Sequence, residues 1–149
     1  MKLKEVIDLK NGKKRPIEEG NIPVYGGNGI LGYTNEFYFN NNSIIIGRVG
    51  AYCGSVYKSD SKCWISDNAI AGKVKKNNDY LYIYYLLKNL KLNNYHIGTS
   101  QPLITQEILN NLEVKILDYN VQVKIGKILN TIDKKIELNT QINNNLLAA

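Results

Sequence analysis

The sequence predicts an α+β protein: a curled, barrel-like, β-rich domain with short helices over residues 1–118, then a long C-terminal helix of coiled-coil type over residues 119–149. Three observations carry this reading. Short β-branched and aromatic runs upstream of Asp118 are punctuated by eleven of the chain's 12 glycines. From Asn120 onward there is a single Gly and neither Pro nor aromatic residue. Within that last stretch, Val121, Ile125, Ile128, Ile132, Lys135, Asn139, Ile142 and Leu146 alternate steps of four and three, the spacing of a heptad seam.

The elements follow in order. Ile22–Tyr25 reads as a short strand entering the turn-rich Gly26–Gly29. Tyr33–Phe39 and Ser43–Gly47 are strands split by the turn Asn40–Asn42; the Ile44–Ile46 run is too short and too β-branched for a helix. Ser55–Lys58 and Ala69–Val74 are further strands, separated by the polar loop Ser59–Lys62. Asn78 or Asp79 can cap a helix from Tyr80 to Leu90, with Leu81, Tyr84, Tyr85 and Lys88 on one side. Pro102 and Thr105 precede a shorter helix, Gln106–Asn111. Leu112–Ile116 then alternates apolar and charged residues like a half-buried strand. A helix from Asn120 to Leu147 would be about 42 Å long. Lys135 and Asn139 in its seam would weaken pairing while fixing register and partner number. The helix could lie on its own domain, but a seam running to the last residues with nothing after it to cover it favours a partner.

Composition narrows the class. The chain has 149 residues, 44% hydrophobic and 21% charged, as in a soluble globular protein, with a net charge of +6. That balance, with a pI near 9.2, excludes an acidic nucleic-acid mimic and suits a polyanionic partner. No run of about 18 apolar residues is present to span a membrane. The opening Met1–Asp8 carries charge throughout its apolar run, unlike a signal peptide. Cys53 and Cys63 lack metal-ligand spacing, and with His96 as the sole histidine no four-ligand zinc site can form from this chain. Free thiols fit a reducing cytoplasm.

Gly27-Asn28-Gly29-Ile30-Leu31-Gly32 matches the dinucleotide-binding G-x-G-x-x-G. The residues after it have β character where that fingerprint needs a helix, so a Rossmann site is rejected. The glycines instead allow close backbone approach or free Asn28 to project from a turn. No phosphate-binding loop, zinc-protease motif or nucleophile elbow occurs, and a Ser-His-Asp triad would have to use His96. With prolines only at 16, 23 and 102, the Pro-Pro-Tyr/Phe signature of amino-methyltransferases cannot be present. No catalytic residue, metal ligand or cofactor is assigned. Basic residues cluster at Lys13–Arg15, at Lys58 with Lys62, and at Lys73, Lys75 and Lys76; each cluster is either a solvated face or a phosphate site. Arg48 stands between an apolar strand and Gly50, where it can address guanine or phosphate bidentately or join a structural ion pair. Gln101, in the polar loop Gly98–Gln101, can pair with adenine or cap the turn before Pro102.

Residues Ile22–Tyr33, Ile45–Gly50 with Gly54–Val56, Trp64–Ala69, the Tyr82–Leu87 helix and Gly98–Pro102, in this order, resemble the target-recognition domain of type I restriction-modification specificity subunits. Ile125–Ile142 resembles the start of that family's long spacer helix. The chain departs from the family just before this helix, where Ile116–Gln122 replaces a Pro-rich segment and Glu-Gln. The resemblance implies a non-catalytic, sequence-specific double-stranded DNA reader that directs separate modification and restriction subunits, with S-adenosylmethionine bound by the former. Family members carry two recognition domains and two spacer helices, so one copy of each implies a half-subunit. On this reading Tyr25, Asn28, Arg48, Tyr52, Lys58, Lys62, Thr99, Ser100 and Gln101 are the candidate DNA contacts. Val121, Ile125, Ile128, Ile132, Asn139, Ile142 and Leu146 would meet a second copy or another specificity chain. The expected partners are DNA and the modification (methyltransferase) subunit, with no cofactor and no membrane. The rival reading is an adaptor protein, a truncated remnant that keeps the helix but no longer reads DNA.

Overall fold

The computed structural model describes residues 1–148, and their β-strands form two sheets rather than one curled barrel. Strands β1 (Ile7–Asn11), β4 (Ser43–Gly47), β5 (Val56–Ser59) and β7 (Ala69–Val74) form an antiparallel sheet in the order β1-β7-β4-β5. Strands β2 (Ile22–Gly26), β3 (Gly29–Thr34) and β6 (Trp64–Ile65) form a smaller one in the order β3-β2-β6. Closure fails at the β5 edge of the larger sheet and at the step between the two sheets. The outer edge of β5 packs on a helix instead of pairing with β3. After two residues of β6 the chain turns through Ser66–Asn68 and changes sheets.

The isoleucine run explains how the layers stack. Side chains alternate across a strand, so Ile44 and Ile46 enter a core shared with the helices while Ile45 enters a second core shared with Ile65 and Cys63 of the small-sheet side. Every residue of β4 is therefore buried. Helix α1 (Tyr80–Asn89) covers the first core; the Asp79 carboxylate accepts from Tyr82 N at 2.8 Å, and the Tyr80 hydroxyl donates to the carbonyls of Ser43 and Ser59. Helix α2 (Gln106–Asn110) is capped by Thr105.

Two expected strands move. Tyr33–Phe39 is replaced by β3, which begins at Gly29: the turn needs only Gly27 and Asn28, and Gly29 takes the left-handed backbone (φ 91°) that starts the return strand. Leu112–Ile116 keeps its alternation of burial but forms only a single bridge, Lys2 to Glu113. Its neighbour curls into a 3-10 turn at Leu3–Glu5 and so offers no longer ladder.

Helix α3 spans Tyr119–Ala148, about 45 Å. Its first turns lie on its own domain, and the heptad seam divides accordingly. Ile125 packs against the α1 core and Ile132 borders the groove between the helices. Val121, Ile128, Asn139, Ile142 and Leu146 are exposed, as is everything from 131 to 148. The docked face is Gln122 and Gly126. Gln122, 1% exposed, accepts from Asp79 N at 2.8 Å and donates to the Leu117 carbonyl at 2.8 Å. A Cβ on Gly126 would stand 2.5 Å from Asp79 Oδ1 and 2.9 Å from Tyr82 N. Further along, the Tyr85 hydroxyl donates to Asp133 at 2.6 Å, and burial with the nearby carboxylate holds that phenol above its ordinary pKa. No helix among the described residues is long and apolar enough to cross a membrane.

Two substitutions test this docking. Gly126→Val should cost about 1–3 kcal/mol through overpacking, and Gln122→Leu about 1–3 kcal/mol by orphaning buried polar groups. Urea unfolding measures both, with faster amide exchange expected over residues 119–130.

Candidate nucleic-acid interface

Four loops meet where β4 ends. Gly47 has no side chain because two segments cross it: a Cβ there would overlap the Tyr52 carbonyl and the Ser55 hydroxyl of the following loop and crowd the Gly27 carbonyl of the β2–β3 turn. Gly47 N donates to Ser55 O at 2.9 Å, and Gly54 N to Gly47 O at 2.8 Å. Arg48 N donates to Asn68 O at 3.0 Å, which ties in the turn between the sheets. Ile104 N donates to Arg48 O at 2.9 Å and Gly50 N to Pro102 O at 3.0 Å, which bring in the loop 97–103. The Ser55 hydroxyl donates to Gly27 O, closing the β2–β3 turn onto the group.

On this frame the structure gathers Asn28, Arg48, Tyr52, Thr99, Ser100 and Gln101. Asn28 is exposed at the hairpin tip, with its Oδ1 3.4 Å from the Tyr57 hydroxyl. Tyr52 is exposed on the 3-10 turn Gly50–Tyr52. Thr99, Ser100 and Gln101 are exposed at the tip of a loop closed by paired hydrogen bonds between Ile97 and Leu103 at 2.9 Å. Arg48 is half-buried, and its Nη1 donates to the Asp67 carbonyl at 3.2 Å. Among the described residues it has no carboxylate partner, so its charge and most of its donors are uncommitted.

Three expected contacts lie elsewhere. Tyr25 is half-buried against the second core, and burial raises its phenol pKa. Lys58 follows Tyr57 along β5 and therefore faces the other way. Its side chain is 18% exposed, its Nζ lies 3.0 Å from Asp60, and it sits near the Tyr84 ring of α1. Lys62 lies over the Phe37 ring at 4.5 Å, away from the loop cluster. Tyr57 is the residue that sequence reasoning passed over; its place beside Lys58 in an alternating strand was the available signal. The G-x-G-x-x-G segment is a β-hairpin, in line with rejecting a dinucleotide site.

Residues 1–148 match the family model described as type I restriction modification DNA specificity domain. The specificity subunit of the type I restriction enzyme EcoprrI from Escherichia coli is 28% identical over 133 residues, covering 89% of this chain and 33% of that protein. The S subunit of a type I restriction-modification system from M. genitalium superposes with a TM-score of 0.81 at 23% identity, over 92% of this chain and 39% of that one. The HsdS subunit from Thermoanaerobacter tengcongensis gives 0.68 at 20% identity, over 93% and 38%. The chain thus spans about a third of that curated relative.

Burial of the two thiols reports on how tightly the loops pack. Cys53 lies beneath the loop cluster with its Sγ donating to Arg48 O, and Cys63 is fully buried between the sheets; burial pushes both thiols up. The unfolded thiols ionise near pH 8.5 while the folded ones hold their protons. The unfolded state therefore binds fewer protons above that pH, and stability present in full below it should decline as pH rises further. Denaturant titrations at pH 7.5 and 9.5 should show this fall, and it should shrink when both cysteines are replaced by alanine, leaving a smaller part from the raised phenols of Tyr25 and Tyr85.

Proposed function

The chain belongs to the type I restriction modification DNA specificity domain family, and from that membership we propose that it reads a specific double-stranded DNA sequence for a type I restriction-modification system. It acts in the cytoplasm without catalysis of its own, bringing the modification and restriction subunits to their target. The observation that carries this reading is the match over residues 1–148, which takes in both the loop cluster and the long helix. Residues 1–118 supply the reading unit and 119–149 the spacer. Lysines and arginines on the DNA-facing side supply salt-dependent affinity, and loop side chains read base edges in the major groove. Arg48 is the residue best placed for a bidentate contact, being positively charged, without a carboxylate partner among the described residues and set among four loops.

The spacer carries the assembly. Ile128, Ile142 and Leu146 of α3 are exposed at heptad spacing, and pairing with a second helix in a coiled coil would cover them. The second helix belongs to another copy of this chain, and the modification subunit docks on the pair. The same exposed stripe would serve an adaptor that has lost DNA reading, and DNA titration separates the two.

Arg48→Ala should cost about 1–3 kcal/mol of binding if the side chain meets a base, or lower the salt slope by about one if it meets a phosphate. Fluorescence anisotropy on duplexes at several salt concentrations makes the measurement. Earlier melting with unchanged affinity per folded molecule would assign Arg48 to structure alone. Absence of any sequence preference in the wild type would support the adaptor.

Two identical readers related by a two-fold axis must see the same bases on opposite strands. The methylation motif should therefore be an interrupted palindrome, which methylome sequencing with and without the gene will establish. A non-palindromic bipartite motif would mean that α3 pairs with a different specificity chain.

A further inference from the structure

The outer face of the β3-β2-β6 sheet presents a second cationic surface, separate from the loop cluster. Tyr25 of β2 faces the second core, so Val24 before it points outward, yet it is fully buried. Its cover comes from the segment after β1. Lys13 N donates to Ile65 O at 2.9 Å, and Trp64 Nε1 donates to Lys13 O at 3.0 Å, which lays this segment along β6. There Lys13 Nζ sits 4.1 Å from the centre of the Tyr38 ring, which in turn lies 5.7 Å from that of Trp64. Beside Tyr38 on its loop, the Phe37 ring lies 4.5 Å from Lys62 Nζ, which comes from the β5–β6 loop. Phe37 and Tyr38 are 48% and 37% exposed.

The state of these two ammonium groups sets them apart from the lysines paired with carboxylates. Lys58 and Lys75 are neutralised by Asp60 and Asp8 at 3.0 and 3.2 Å. Lys14 and Arg15 share a depression with Glu18 and Glu36. Lys13 and Lys62 have no carboxylate partner among the described residues and rest instead on aromatic faces, which fix an ammonium without cancelling its charge. From Trp64 to Asn68 in the loop cluster is four residues, at most about 14 Å of chain. Phosphates on one DNA strand recur every 3.4 Å or so along the axis, so that span corresponds to about four phosphate steps.

We propose that Lys13 and Lys62, held on Tyr38 and Phe37, grip the phosphate strand of duplex DNA beside the bases that the loop cluster reads. This rests on the DNA-reading function proposed above and adds a register-setting contact that carries no sequence information.

The test is the full-length double variant Lys13→Gln with Lys62→Gln, titrated with the methylated target duplex and a random-sequence duplex between about 50 and 300 mM salt. Two lost phosphate contacts should make the log–log salt slope shallower by about 1.8. The preference for target over random duplex should stay within about twofold of wild type. Removing the same charge at exposed Lys76 and Lys115 should leave the slope unchanged. If the first double variant melts early, Lys62→Gln alone carries the test, with half the change. An unchanged slope, or an equal change in the Lys76/Lys115 variant, overturns the grip while leaving the reading function standing. A wild-type chain that binds no duplex at about 50 mM salt removes both.

Discussion

The buried amide of Gln122 is the joint on which the molecule's geometry depends. It accepts from Asp79, the residue that also caps α1, and it donates back to Leu117 at the entry to α3. Two helix starts are thus tied to one side chain, with Gly126 one turn on admitting close contact with the cap. Buried polar groups of this kind are stabilising only when every partner is in place, so the joint has one good arrangement. Tyr80, directly after the cap, fastens α1 to β4 and β5. Through that chain of contacts the direction of α3 is referred to the strand whose end holds the loop cluster.

The loop cluster is held chiefly by main chain. The bonds joining Gly47 to Ser55, Arg48 to Asn68, Gly50 to Pro102 and Ile104 to Arg48 are all backbone to backbone. Asn28, Tyr52 and Thr99–Gln101 stand on the frame without building it, so their side chains can change without disturbing the loops beneath. Tyr25 and Lys58 are of the opposite kind, since their burial and pairing are part of the scaffold.

How much of this was legible in the sequence depended on whether the information was local. The Ile44–Ile46 run, the cap position at Asn78 or Asp79, Pro102 and Thr105 ahead of the short helix and the Gly26–Gly29 turn are local signals, and each marks an element that forms. β1 went unnoticed because its Ile7–Lys10 alternation is only four residues long, and it acquires strand structure by pairing with β7. The position of Leu112–Ile116 was likewise set by a distant neighbour, the chain's own first residues. Side-chain direction was the least legible. Tyr57 and Lys58 are adjacent in sequence yet face opposite layers, and the heptad count on α3 merged a docked stripe with an exposed one.

The division of α3 into a docked part and a free part has a mechanical consequence. Asp133, held by Tyr85, is the last point of fixation, and the 15 residues after it extend about 22 Å as a lever. A tilt of about 10° at the joint, 26 residues or about 39 Å from the far end, would sweep that end by about 7 Å. Whatever the helix tip is fastened to can hold its place relative to the loop cluster only as well as the Gln122 joint resists bending. Stiffness at that one buried amide therefore sets how far the helix tip can wander from the domain that carries it.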